Sequence, residues 1–195
     1  MTSSVFAPRL RAASIINRWS IVWTQRPDSV AAHSYYVALY AHMIAVIIQW
    51  TGPHDLLLQA ALIHDLDELF LGDQVGVVKH QVQDARKSSD FVARKMQTML
   101  PMIETMTETL ADNSRANEIN LIVKAADQLD SLFFVLTEIA MGNRIIGERL
   151  TSSLDRAHTA WLKLPSQGSR LILTWAEIIE PSIEAHKDVK NYDID

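Results

Sequence analysis

Turn signals are sparse in this chain, and where they fall constrains what it can fold into. Its 195 residues hold six glycines and six prolines. The clusters that read as turns are Pro27-Asp28, Gly52-Pro53, Gly72-Asp73, Asp112-Asn113-Ser114, Gly142-Asn143 and Pro165-Ser166-Gln167-Gly168. Between them run segments of about 15 to 28 residues, within which apolar residues recur at helical spacing. Leu56, Ala60, Ile63 and Leu66 form one such series, and Ile119, Ile122, Val123, Ala126, Leu129, Leu132 and Phe133 another. No alternating run competes with this period. The chain is therefore expected to be all-α, with helices near 8–17, 29–50, 55–71, 84–110 (bent before Pro101), 115–141, 145–163 and 169–190. Asp28-Ser29, Asp55 and Asp112-Asn113-Ser114 serve as N-caps in this reading, and Gly52 and Gly142 as C-terminal stops. With no internal repeat or long linker, residues 1–195 are expected to form one domain, with a fraying polar tail after Lys187.

Composition narrows the partners. Hydrophobic residues at 48% and charged residues at 21% belong to a soluble globular protein. A net charge of −5 provides no global field for holding a nucleic-acid polymer, so any phosphate ligand has to be gripped locally. The absence of cysteine excludes disulfides, thiolate metal sites and cysteine nucleophiles, and fits a reducing compartment. The apolar run from Val37 to Trp50 is interrupted by His42 and Gln49 and falls short of the roughly 20 residues a bilayer requires. The N-terminus lacks the apolar core of a secretion signal. A cytoplasmic protein without a membrane partner is expected.

The chemistry concentrates in Ala60-Ala-Leu-Ile-His64-Asp65-Leu-Asp67-Glu68-Leu-Phe70, where ionisable groups interrupt an apolar helical pattern. Buried imidazoles and carboxylates have to be paired or to ligate a metal. Glu68 stands four residues after His64, on the same face of a continuous helix. The plain alternative is a satisfied core histidine beside a solvated acidic edge, and a His-Asp pair alone decides little: His54-Asp55 is another, at a helix start. His33, early in a long apolar helix, and Asp127, beside Ala125 and Ala126, add to the set. Two histidines and two aspartates on three helices suit a transition-metal ion with positions left open for water. Trp161 and Trp175 read as core residues, with a subunit interface as the alternative.

In this order, His33 … His64-Asp65 … Asp127 resembles the signature of the HD-domain metal-dependent phosphohydrolases, in particular the small 5′-deoxynucleotidases and the phage dATP triphosphohydrolases. Asn17-Arg18-Trp19, His33-Ser34, Glu68, Gly72-Asp73, Val78-Lys79, Val123-Lys124, and Glu138 with Gly142-Asn143 extend the likeness over about residues 9 to 150. The resemblance implies a single HD-type bundle of about six to seven helices. It implies His33, His64, Asp65 and Asp127 as ligands of a divalent transition metal (Co²⁺, Mn²⁺ or Zn²⁺), with Asp65 also in the catalytic set. Glu68 would activate the attacking water, Arg18 and Lys79 would hold phosphate oxygens, Trp19 would pack on the nucleoside, and Asp73 would contact the sugar. Ile21 would crowd a 2′-hydroxyl, since a β-branched side chain is stiff. The sequence departs from the family where Ala32 replaces the glutamate usual before the first histidine, and where Gln74 to Val78 replaces a Pro-rich loop.

The resemblance thus implies hydrolysis of 2′-deoxynucleotides at the 5′ phosphate. A dATP-type triphosphohydrolase releasing tripolyphosphate is the first expectation, with Lys79, His80, Arg86 and Lys87 as cations for the longer chain. The alternatives are a 5′-deoxynucleotidase acting on monophosphates and a non-catalytic nucleotide sensor. The expected partners are the deoxynucleotide and further copies of the chain in a homo-oligomer.

Overall fold

A computed structural model of the chain describes residues 10–72, 106, 108–165 and 174–187. These residues are helical, and the single sheet-like contact among them is an isolated antiparallel bridge between Asn17 and Ser29. Among the described residues six α-helices have defined bounds: α1 Val30–Ile47, α2 His54–Ile63, α3 Glu68–Leu71, α4 Ala116–Ala140, α5 Leu150–Trp161 and α6 Glu180–Lys187. Short 3₁₀ segments cover Arg11–Ser14 and Ile145–Arg149.

The fold is organised around α4. Its 25 residues bury side chains on nearly every face, from Ile119 through Ala125, Leu129, Leu132 and Val135 to Ile139. A helix apolar all round belongs in the middle of a bundle, and α4 packs against α1, α2, α5 and α6. By contrast α5 is amphipathic: Leu150, Ala157, Ala160 and Trp161 point inward while Asp155, Arg156 and His158 do not. Trp161 and Trp175, 2% and 7% exposed with ring centroids 5.7 Å apart, are core residues. α1 contains no Asp, Glu, Lys or Arg and is long and apolar enough to cross a membrane. Here Val37, Ala41, Ile44 and Ala45 are buried in the shared core.

Helix ends follow local chemistry. Ser29 caps α1, its hydroxyl accepting from the Ala32 amide at 3.2 Å. α4 ends at Gly142, with φ 89°, where the Gly142 and Asn143 amides donate back to Ile139 and Glu138 carbonyls at 2.8 and 2.9 Å. α1 closes in the same way, but the left-handed residue is Gln49 (φ 54°) and not Gly52. Gly52 has another use: a Cβ there would run into the Trp50 indole. Asp55 lies inside the first turn of α2, which Pro53 precedes, and makes no cap. Asn113 accepts from the Arg115 amide at 2.8 Å ahead of α4.

Three helix expectations change in character. Over the described part of 8–17 Leu10 is helical and Arg11–Ser14 is 3₁₀, and 145–149 is 3₁₀ before α5 begins. The described part of 169–190 contains a π-helical turn, Trp175–Ile179, directly before α6. Pro181 has no amide to donate to the preceding turn, which resets the hydrogen-bond register there. The expected helix 84–110 lies almost entirely outside the described residues.

Before α1, residues 17–29 form a loop closed at its neck by Arg18 N to Asp28 O (2.7 Å) and Val30 N to Ile16 O (2.9 Å). Its tip is tied to α4 by Glu138, which is fully buried. That carboxylate accepts from the Gln25 amide (2.6 Å), the Arg26 amide (3.2 Å) and Asn143 Nδ2 (2.8 Å). Removing it takes the acceptor from the two loop amides, while Asn143 Nδ2 keeps the Trp23 carbonyl at 3.1 Å; an unsatisfied buried group costs about 1–3 kcal/mol. Glu138→Ala is expected to destabilise the protein by roughly 2–5 kcal/mol, measured by urea denaturation. A loss below the error of that measurement would remove Glu138 from the frame of the fold.

Candidate metal centre

α1 and α4 bring His33 and Asp127 face to face in the core, and the end of α2 delivers His64 and Asp65 to the same point. His33 is fully buried. His33 Nε2 lies 3.2 Å from His64 Nε2, 3.4 Å from Asp65 Oδ2 and 3.5 Å from Asp127 Oδ1, and His64 Nε2 is 3.3 Å from Asp65 Oδ2. Atoms bound to one zinc-sized ion at about 2.0–2.1 Å stand roughly 3–3.5 Å from one another. These four distances have that spacing: His33, His64 and Asp127 each offer one atom within 4.8 Å of the others, Asp65 lies beside both imidazoles, and two imidazoles with two carboxylates are a borderline-hard set suited to Zn²⁺, Co²⁺ or Mn²⁺. The residues present therefore fit a divalent transition metal.

Each donor is oriented from behind. His64 Nδ1 donates to the Ala61 carbonyl at 2.8 Å, and His33 Nδ1 lies 2.6 Å from Asp130 Oδ2. Asp127 turns Oδ1 to the centre, while Oδ2 accepts from Lys124 Nζ (2.7 Å) and Gln128 Nε2 (2.8 Å). Metal-free, the charges are strongly coupled. Burial alone would lower the His33 pKa, but hydrogen bonds to Asp127, Asp130 and Asp65 outweigh it and push the pKa up to about 10. Burial would raise Asp65 and Asp127. The His33 and His64 imidazoles hold Asp65 far below the usual carboxylate range, and His33 with Lys124 lowers Asp127.

Between His64 and Asp67 the chain departs from the continuous helix expected over 55–71. α2 stops at Ile63, and the bonds that follow are the tighter i→i+3 kind: Leu66 N to Ile63 O and Glu68 N to Asp65 O, both 3.1 Å. The His64 ring occupies the Ala61 carbonyl, one of the acceptors a helix end leaves free. The four-residue spacing of His64 and Glu68 thus gives no shared helical face. Glu68 begins α3, 4% exposed, one turn after Asp65.

The remaining expected residues divide. Arg18 sits behind His33: its NH1 is 3.1 Å from Asp28 Oδ2 and 3.4 Å from Asp130 Oδ2, its NH2 donates to Ser131 Oγ at 3.3 Å, and its side chain is 12% exposed. Burial raises the pKa of Asp28, with Arg18 opposing. Trp19 takes φ 62°, a left-handed conformation costly for a bulky residue. It is secured by stacking on Phe134 (centroids 5.5 Å, 17° between planes) and by Nε1 donating to Asp28 at 3.3 Å. Ile21 is 67% exposed, so no preformed apolar wall surrounds it. Asp73, Lys79, His80, Arg86 and Lys87 lie outside the described residues. Sequence reasoning missed Asp28, Ser131 and Asp130. The last stands one turn after Asp127, and that spacing was the available signal; it also provides the carboxylate at His33 that Ala32 does not. Asp65→Ala is expected to abolish binding of Zn²⁺, Co²⁺ or Mn²⁺ while the protein stays folded, because Asp65 lies outside the apolar core that packs around α4. Elemental analysis alongside circular dichroism checks this, and full metal content in the variant would contradict it.

The chain matches the family model described as 5′-deoxynucleotidase YfbR-like over residues 5–161. It is 31% identical over 155 residues to the 5′-deoxynucleotidase YfbR of Salmonella arizonae, covering 73% of this chain and 77% of that one. To the 5′-deoxynucleotidase YfbR of Photorhabdus temperata it is 29% identical over 169 residues, 80% of this chain and 86% of that one. An HD-domain phosphohydrolase structure from Listeria innocua superposes with a TM-score of 0.73 at 21% identity, covering 97% and 93% of the two chains. The HD phosphohydrolase DatZ of cyanophage S-2L, solved with dA and one catalytic Zn²⁺ ion, superposes with a TM-score of 0.61 at 18% identity, covering 92% and 95%. These solved structures share the all-α fold.

Proposed function

The chain belongs to the YfbR-like 5′-deoxynucleotidase family and is a metal-dependent phosphohydrolase, and from that premise we propose that it is a cytoplasmic enzyme that removes the 5′ phosphate of 2′-deoxynucleoside monophosphates. Water attacks phosphorus, the P–O5′ bond breaks, and the products are a deoxynucleoside and inorganic phosphate. The observation that carries this reading is the convergence of His33, His64 and Asp127, with Asp65 beside both histidines, in a chain whose relatives bear that activity in their names. The triphosphate expectation has less support. The matched relatives are named for 5′-deoxynucleotidase activity.

A divalent cation, held by this set, would supply Lewis acidity toward the phosphoryl group and lower the pKa of bound water. His33, His64, Asp65 and Asp127 would hold it, each anchored on a helix or helix end and restrained by a neighbour. Glu68 accepts the proton of the attacking water; its burial suits a base that has to act in a water-poor site. Arg18 sets positive charge beside the centre, where charge grows on the transferring phosphoryl group, and Lys79 adds to it. Trp19, partly exposed with Phe134 behind it, packs on the nucleoside, and Asp73 meets the sugar. Ile21 is open for a deoxyribose to cover; a ribose would bury its 2′-hydroxyl against that side chain.

The experiment is a product assay: each deoxynucleoside mono- and triphosphate is incubated with the protein and Mn²⁺, Co²⁺ or Zn²⁺. Inorganic phosphate and deoxynucleoside from the monophosphates are expected. Tripolyphosphate from a triphosphate, with monophosphates untouched, would overturn the reading. In the same assay Glu68→Ala is expected to lower kcat by about 10²- to 10⁴-fold with metal content retained.

A further inference from the structure

Both histidines of the metal centre face it through Nε2. A nitrogen that binds a cation has to offer its lone pair, so each ring has to carry its proton on Nδ1. The two rings solve this differently. His64 Nδ1 has a neutral acceptor, the Ala61 carbonyl at 2.8 Å. His33 Nδ1 has a charged one, Asp130 Oδ2 at 2.6 Å, and both of these side chains are buried.

A second group competes for the same nitrogen. Arg18 NH1 also lies 2.6 Å from His33 Nδ1, and a guanidinium is only a donor. If Nδ1 carried no proton, Arg18 would donate to it, Asp130 Oδ2 would face its lone pair, and the ring proton would sit on Nε2, where the cation has to bind. With Nδ1 protonated, the ring N–H and Arg18 NH1 both donate to Asp130 Oδ2, the latter at 3.4 Å. Asp130 thus decides between two tautomers, one of which cannot bind metal. Neutralising Arg18 does not require it, because Asp28 Oδ2 is closer to the guanidinium, at 3.1 Å.

We infer that Asp130 is a positioning residue of the metal centre, holding His33 in the Nδ1–H tautomer so that Nε2 stays available to the cation. The inference rests on His33 being a ligand, as the proposed function has it. It also explains how the centre tolerates Ala32, since the charged partner of His33 comes from α4, one turn beyond the ligand Asp127. A hydrogen bond of this kind sets ring orientation and raises ligand basicity, and its loss typically costs 10- to 100-fold in metal affinity.

Zn²⁺ affinity, measured by competition with a chromophoric chelator, tests the inference without relying on turnover. Asp130→Asn keeps the shape but places an amide beside Nδ1 that can donate as well as accept. The expected result is a 10- to 100-fold weaker Zn²⁺ Kd, with most of the affinity regained in Asp130→Glu. Asn143→Ala, which disturbs the distant Glu138 cluster, is expected to leave the Kd unchanged even where it lowers Tm. A Kd within threefold of wild type in folded Asp130→Asn, while His33→Ala binds poorly, would overturn the inference and leave the metal centre standing. Unchanged Zn²⁺ affinity in His33→Ala would overturn the metal centre itself. Nitrogen-15 NMR of the Zn²⁺-loaded wild type is a second readout that requires no variant to fold: a protonated Nδ1 on His33 is expected, and a proton on Nε2 would contradict the assignment.

Discussion

The contact on which this structure depends is that of one buried imidazole with the helix across from it. His33 lies on the inner face of α1, fully buried, and meets Asp127 through one nitrogen and Asp130 through the other. An imidazole has two nitrogens, and two carboxylates one turn apart on α4 reach both. The α1–α4 pair is also the centre of the apolar core, with Val37, Ala41 and Ile44 set against Ile122, Ala126 and Leu129. The polar contact is thus held by close-packed side chains that resist adjustment. An apolar core would be cheaper at that point, since buried charges need partners to offset their desolvation. Retaining them there is consistent with a cluster built to hold an ion.

Around that contact the chain is arranged to limit movement. The 17–29 loop leads directly into α1 and carries Arg18, Trp19 and Asp28 behind His33. Glu138, eight residues along α4 from Asp130, anchors the far side of the loop through backbone amides. One helix therefore supplies a candidate ligand, the partner of His33, the stacking surface under Trp19 and the tie for the loop. The left-handed conformation of Trp19 belongs to the same arrangement. A bulky residue is held at positive φ only where its surroundings over-determine it, and Phe134 and Asp28 do so here.

Much of this was legible in the sequence, and the unread parts have physical causes. The interiors of α1 and α4 followed from 3.6-residue spacing, and Ser29 marked a helix start correctly because a cap is a local interaction. The break after Ile63 was not legible: Leu66 continues the apolar period, and what ends the helix is a side-chain bond from His64 to a carbonyl, which periodicity does not register. The end of α1 was placed at Gly52 because glycine is the usual left-handed residue, while Gln49 takes that conformation and Gly52 makes room for Trp50. His33, His64, Asp65 and Asp127 stood out as ionisable groups in apolar surroundings. Asp130 and Asp28 did not, because each is one polar residue near a helix turn, and its meaning depends on which group lies opposite in space.

The most direct test of this account is a crystal structure of the Zn²⁺-loaded protein with anomalous data at the zinc edge. One ion is predicted, bound by His33 Nε2, His64 Nε2 and oxygens of Asp65 and Asp127, with Asp130 accepting from His33 Nδ1. An ion located elsewhere, or bound without His33, would contradict it.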